Sequence, residues 1–353
     1  MSARGAAFVS PPDPELRELF SQRGFRTESA KMTEVLRRAY KAAYVSDITI
    51  LIEGETGTGK QVLAYAIHQL DQKRRSAPFV TVHCSTINES LAESELFGHE
   101  RGAFSGASNR RKGLFQAAHQ GTLFLDDVND LPAVLQPKLL DVVQRGMVRP
   151  VGADHESAVD VRIVAASNQD LAPLVRQNRF RADLYHRLNV VRIPLPPLRE
   201  RLEDLPALIL AFARRHAEVY PGITGIDPEL VRYLESQPFF GNVRELEHAV
   251  ERTLFCKTGG ACLTLADWMA SCGEGVEGAD QDPVCGAADL LWKAIFQHHV
   301  PMGLVLRRLE KKLLETAMSA GQTRRELASQ LQTSERTLYH KLRSFSLTHN
   351  GAE

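Results

Sequence analysis

Residues 47–70 read DITILIEGETGTGKQVLAYAIHQL. A β-branched apolar run ends at Gly54, the glycine-rich stretch GETGTGK (54–60) follows, and apolar residues then recur at helical spacing to Leu70. Strand, glycine-rich loop and helix form the context in which GxxxxGK cradles phosphate. Glycine lets the backbone turn tightly and approach an anion, because a Cβ would block both. Successive N–H groups and the helix N-terminus then point at the phosphate. Gly54, Glu55, Thr56, Gly57, Thr58, Gly59, Lys60 and Gln61 are therefore candidate nucleotide-binding residues, with ATP the expected ligand.

Outward from this loop, APFVTVHC (77–84), GTLFLDDV (121–128) and VDVRIVAASN (159–168) read as further strands alternating with helical patterns. That alternation predicts an α/β fold, a parallel sheet with flanking helices. TLFLDD (122–127) runs four apolar residues into two carboxylates. A buried strand ending in acids sets them at the carboxyl edge of the sheet, beside the phosphate loop. Asp126 is the candidate Mg²⁺ ligand, and Asp127 the candidate that orients or deprotonates an attacking water.

The chain has 353 residues, 43% of them hydrophobic, enough for two or three domains with packed cores. Its 43 basic and 43 acidic residues cancel, so nucleic-acid contact requires a local patch. No apolar run reaches the length of a membrane span, and MSARGAAFVSPPDPE lacks a signal-peptide core. Five cysteines without a CxxC pair read as reduced, cytoplasmic thiols.

The expected domains are an N-terminal arm (1–23, Pro-rich and polar), an α/β subdomain (24–197), a helical lid (198–265), a Gly- and Asp-rich linker (266–300) and a basic helical tail (301–353). In the tail, TRRELASQL (323–331) and ERTLYHKLRSF (335–345) read as helix, turn, helix. Ser334 is the expected N-cap, Leu338 and Leu342 face inward, and Arg336, Thr337, His340, Lys341 and Arg343 are candidate DNA contacts. From Pro301 to Leu347, nine Lys/Arg against four Glu leave a charge of +5, a local basic patch.

Taken in order, GETGTGK, ESELFGHERGAFSGA (93–107), GTLFLDD, AASN (165–168), FRADLYHRLNVV (180–191), PLPPLRER (194–201) and GNVREL (241–246) resemble the AAA+ P-loop NTPase domain of bacterial sigma-54-dependent transcription activators. The resemblance spans roughly Phe25 to Lys257 and resumes in the tail, which is similar to the family's Fis-like helix-turn-helix. It implies that GAFSGA (Gly102, Ala103, Phe104, Ser105, Gly106, Ala107) contacts sigma-54, with Phe104 as the apolar anchor. It implies that Asn168 senses the γ-phosphate, that Arg181 and Arg187 reach a neighbouring subunit's ATP, and that Arg244 links the lid to the nucleotide. His83 occupies the family's switch position, where asparagine is usual.

Other departures stand beside His83. Asp127 replaces glutamate, Gln61 replaces glutamate, Ser105 replaces threonine, Pro150 replaces the arginine of a second surface loop, Phe239 and Phe240 replace Trp-Pro, and Gln332 replaces a turn glycine. The implied function is a DNA-binding activator. Its ring, expected to be a hexamer with a dimer as the inactive form, uses ATP to remodel sigma-54 RNA polymerase holoenzyme at a promoter, from upstream double-stranded DNA. With only 23 residues ahead of the AAA+ region, no sensor or receiver domain is expected, and a trans-acting regulator is. Two alternatives stay open: a weak or inactive subunit acting in a hetero-ring or as a negative regulator, and an ATP-driven unfoldase.

Overall fold

The computed structural model describes residues 10–86, 89–104, 107–215 and 222–274, together with 310–312, 314, 338 and 342. The chain divides into two compact units, Met1–Cys272 and Gly273–Glu353. Five parallel strands form the sheet of the first: β1 (Ile50–Glu53), β2 (Phe79–His83), β3 (Thr122–Asp126), β4 (Arg162–Ser167) and β5 (Val191–Pro194). Their spatial order is β2-β3-β4-β1-β5.

Side chains along a strand alternate between faces, and here both faces are covered. Leu51, Leu123, Leu125, Ile163 and Ala165 enter one core with Phe97, Phe115 and Leu139. Ile50, Ile52, Phe124, Val164 and Ala166 enter the other with Leu36, Leu63 and Ile67. Each such large apolar side chain contributes about 1.5–3 kcal/mol on full burial, which is why β1, β3 and β4 each read as an apolar run. The four strands expected from sequence are present. The fifth, Val191–Pro194, carries the alternation VRIP and pairs in register with β1, Ile52 opposite Ile193.

Two boundaries differ from expectation. Asp13–Ser21 is a helix that buries Leu16 and Phe20 completely in the second core, so this part of the N-terminal region is no loose arm. Pro14 lies in its first turn, where a missing N–H costs nothing. At the other end the lid runs past 265. Helix Leu265–Glu274 places Trp268, 7% exposed, in the same core as Ile209, Leu230, Leu246 and Val250. The other lid helices are Leu205–Arg215, Pro228–Glu235 and Asn242–Cys256. Asp227 caps the second, its carboxylate accepting from the Glu229 amide at 2.9 Å.

In the second unit, Leu338 and Leu342 are helical and buried. Ser334, Arg336, Thr337, His340, Lys341 and Arg343 lie outside the described residues. No described helix is long and apolar enough to cross a membrane.

Candidate nucleotide site

The phosphate loop leaves β1 at Glu53 and enters helix Lys60–Leu70 through Gly59, whose φ of 100° only glycine adopts freely. Gly57 is also left-handed, and a Cβ there would lie 2.1 Å from the Gly241 carbonyl oxygen of the lid. Loop and lid therefore meet backbone to backbone. Val243 and Arg244 both donate their amides to Gly57 O, at 3.0 and 3.3 Å.

A cavity of about 230 Å³ opens between the loop and the lid. Thr56–Gln61 form one wall, Asp126 and Asp127 the floor, Arg244 and Arg201 the lid side, and Phe25 an apolar end. Lys60 is buried, and its Nζ donates to the carbonyls of Gly54 (2.7 Å) and Glu55 (3.0 Å). Burial pushes its ammonium below the ordinary lysine range, while Asp127 and Asp126 pull it back up. Thr58 is buried with its hydroxyl donating to Glu55 O at 2.8 Å. Gln61 is exposed and lines the cavity.

Asp126 ends β3, and its register partner on β2 is His83. The next residue, Asp127, takes φ 50°, ψ 51°, a left-handed turn that keeps its carboxylate at the same cavity. Burial, then the neighbouring Asp127, raises the Asp126 carboxyl above the usual aspartate value, with Lys60 and His83 opposing.

Asn168 follows β4, and its amide donates to Asn129 Oδ1 at 3.3 Å. It does not line the cavity. Neither do Arg181, the exposed residue that precedes helix Ala182–Leu188 and pairs with Asp183 at 2.8 Å, and Arg187, exposed on that helix. In the surface loop Gly102 has φ 82°, and no atom of the described residues beyond its chain neighbours comes within 4 Å of where a Cβ would sit. Its amide donates to Ala107 O at 2.8 Å, and Ala107 N to Phe104 O at 3.0 Å. Phe104 is 37% exposed, with one edge against the buried His99 ring at 5.1 Å between centroids. Ser105 and Gly106 lie outside the described residues.

Two contributors escape sequence reasoning. Arg201 is buried and donates to Thr58 O at 2.7 Å, with Asp204 at 3.7 Å behind it. Asp204 accepts from Thr27 Oγ1 and from the amides of Glu28 and Ser29. Asn242 bridges the loop and the lid. Both stand inside motifs, PLRER and GNVREL, but only the folded contacts reveal their tasks.

A parallel sheet, a phosphate loop at the end of β1, paired acids at the end of β3 and a helical lid define an AAA+ nucleotide-binding domain. The description "Sigma-54 interaction domain" matches residues 25–194, and "AAA+ ATPase lid domain" matches 199–282. The chain is 36% identical over 323 residues to the regulatory protein AtoC of Escherichia coli K12, covering 91% of this chain and 67% of that one. It is 48% identical over 215 residues to the transcriptional regulatory protein ZraR of Klebsiella oxytoca, covering 61% and 48%. Among solved structures, NtrX from Brucella abortus in complex with ATP superposes with a TM-score of 0.62 at 30% identity, over 91% of this chain and 69% of that one. The chain belongs to the sigma-54-dependent transcriptional activator family. It spans 55% of the length of one curated relative and 67% and 48% of two others, AtoC and ZraR.

Proposed function

We propose that the chain binds ATP in the cavity between phosphate loop and lid and uses its hydrolysis to activate transcription by sigma-54 RNA polymerase. The observation that carries this reading is the convergence of Lys60, Asp126, Asp127 and Arg244 on one cavity. Lys60 neutralises β/γ-phosphate charge, and loop amides receive the oxygens. Asp126 and Asp127 supply hard oxygen donors beside that charge, which fits Mg²⁺. A bound Mg²⁺ supplies neutralisation of charge on the phosphate oxygens. Asp127 orients the attacking water, and His83 passes the state of Asp126 toward the surface loop; the sensing role that the resemblance implies for Asn168 requires the site to close further, since Asn168 does not line the cavity.

Arg181 and Arg187 act on the nucleotide of an adjacent copy in a ring; their exposure, away from their own cavity, supports this. The loop 102–107 presents Phe104 to sigma-54, and the 37% exposure of Phe104 supports this. The tail (301–353) binds upstream DNA through the helix-turn-helix residues Ser334, Arg336, Thr337, His340, Lys341 and Arg343. The full activity is tested by mixing the protein with sigma-54 polymerase and promoter DNA, with and without ATP. ATP-dependent open complex is the expected result; its absence at ring-forming concentrations refutes the proposal.

A further inference from the structure

We propose that Asn242 is a positioning residue that couples the lid to the phosphate loop, and that it does so through its side-chain amide. The proposal rests on the nucleotide reading above.

Asn242 is the first residue of the lid helix Asn242–Cys256 and is completely buried. Its φ is 55°, a conformation that asparagine tolerates better than most residues. From there one amide group makes three contacts to two separate segments. Nδ2 donates to Glu55 Oε2 at 3.1 Å and to Thr56 O at 3.0 Å, both in the phosphate loop. Oδ1 accepts from the amide of Leu198 at 2.8 Å, in the connection between sheet and lid. Glu55 is itself fixed by Arg199, whose two Nη atoms donate at 2.8 and 2.6 Å.

The chemistry of these contacts is specific to an amide. The loop side offers only acceptors, a carboxylate and a carbonyl, and the connection offers only a donor. Asparagine alone among short side chains presents a two-proton donor on one side and an acceptor on the other. The contact is also directional. Holding Thr56 O and Glu55 fixes the loop immediately before Gly57, which abuts Gly241. Arg244, two residues on, lines the cavity. Movement of the lid is thereby transmitted to the loop and to Arg244 together. Asn242 touches no reacting atom in this account; it acts through the loop.

The polarity of the contact supplies the test. Asn242→Asp keeps the acceptor toward Leu198 but sets a carboxylate against Glu55 and Thr56 O. Nucleotide affinity, read with a fluorescent ATP analogue on the full chain, is expected to fall about ten-fold, as for an unmet buried hydrogen bond. Adding Glu55→Gln reverses donor and acceptor and removes the like charge, and is expected to recover at least about three-fold. A purely structural role for Asn242 gives no such rescue. Asn242→Gly, which keeps the backbone conformation and removes the amide, is expected to weaken binding similarly and serves should the aspartate variant fail to fold. Wild-type affinity in Asn242→Asp or in Asn242→Gly, or a double variant no better than Asn242→Asp, overturns the proposal. Absence of nucleotide binding by the unaltered chain refutes the nucleotide reading instead.

Discussion

His83 Nδ1 lies 3.4 Å from Asp126 Oδ2, across the register pair that joins β2 to β3. The histidine is half exposed and the aspartate largely buried, so one end of the pair faces solvent and the other the nucleotide cavity. The resemblance implies asparagine at this position. Histidine retains a nitrogen facing the carboxylate and adds a group that carries charge when protonated.

The raised Asp126 carboxyl sets a pH dependence. A folded-state pKa above the unfolded value favours the native state at low pH, and that contribution is lost as pH rises through the folded value. Asp126→Asn is therefore expected to raise the melting temperature of the nucleotide-free protein at neutral pH. The gain should shrink as pH approaches the ordinary aspartate range near 4. Melting curves across that window check it; a gain that grows on acidification contradicts the sign.

Asp127 has a shorter arm than the glutamate implied by the family pattern. A misplacement of about 1 Å can cost about 100-fold in rate, so Asp127→Glu is expected to raise ATP turnover, with unchanged nucleotide affinity. Steady-state phosphate release measures it. Turnover that stays level or drops shows that this site has adapted to aspartate.

Asp204 is fully buried, and burial raises its carboxyl despite the Thr27 hydroxyl and two backbone amides that donate to it. Removing it nevertheless destabilises, because Thr27 and the amides of Glu28 and Ser29 lose their acceptor and Arg201 loses its counter-charge. Asp204→Ala is expected to cost about 3 kcal/mol at neutral pH. Denaturant titration gives the figure, and a loss within about 0.5 kcal/mol argues that the segment 27–29 repacks.

Arg181→Ala and Arg187→Ala are each expected to lower ATPase activity about 10³-fold and to leave melting temperature unchanged, both residues being exposed. Mixing either with a variant lacking Lys60 should restore activity at mixed interfaces. No restoration at any ratio counts against donation between copies.

Phe104→Ala should abolish activation of sigma-54 polymerase with ATPase activity intact. Its one edge contact with His99 predicts a stability change below about 1 kcal/mol. Loss of fold on this substitution would assign Phe104 to the core.

Much of the fold was legible because chemistry and pattern coincide. TLFLDD declares both a buried strand and its acidic end, and GETGTGK declares both a turn and an anion cradle. β5 was less legible: VRIP is four residues long, its apolar run is broken by Arg192 and it ends in proline. The helix Asp13–Ser21 hid behind the prolines at 11, 12 and 14, which suit a helix start as well as a loose arm. At the site, Lys60, Asp126, Asp127 and Arg244 follow from motifs and do share the cavity. Asn242 and Arg201 could not be read in this way. Their partners are 187 and 143 residues away, and neither a left-handed φ nor a buried guanidinium leaves a periodic trace.

The near-contact of position 57 with the Gly241 carbonyl has a consequence for anyone building chimaeras of these proteins. A lid transplanted from a relative must bring its own loop partner, because a single added methyl at 57 would prise the two pieces apart like a wedge in a hinge. The same methyl, introduced deliberately, offers a simple way to trap the jaw open for structural work.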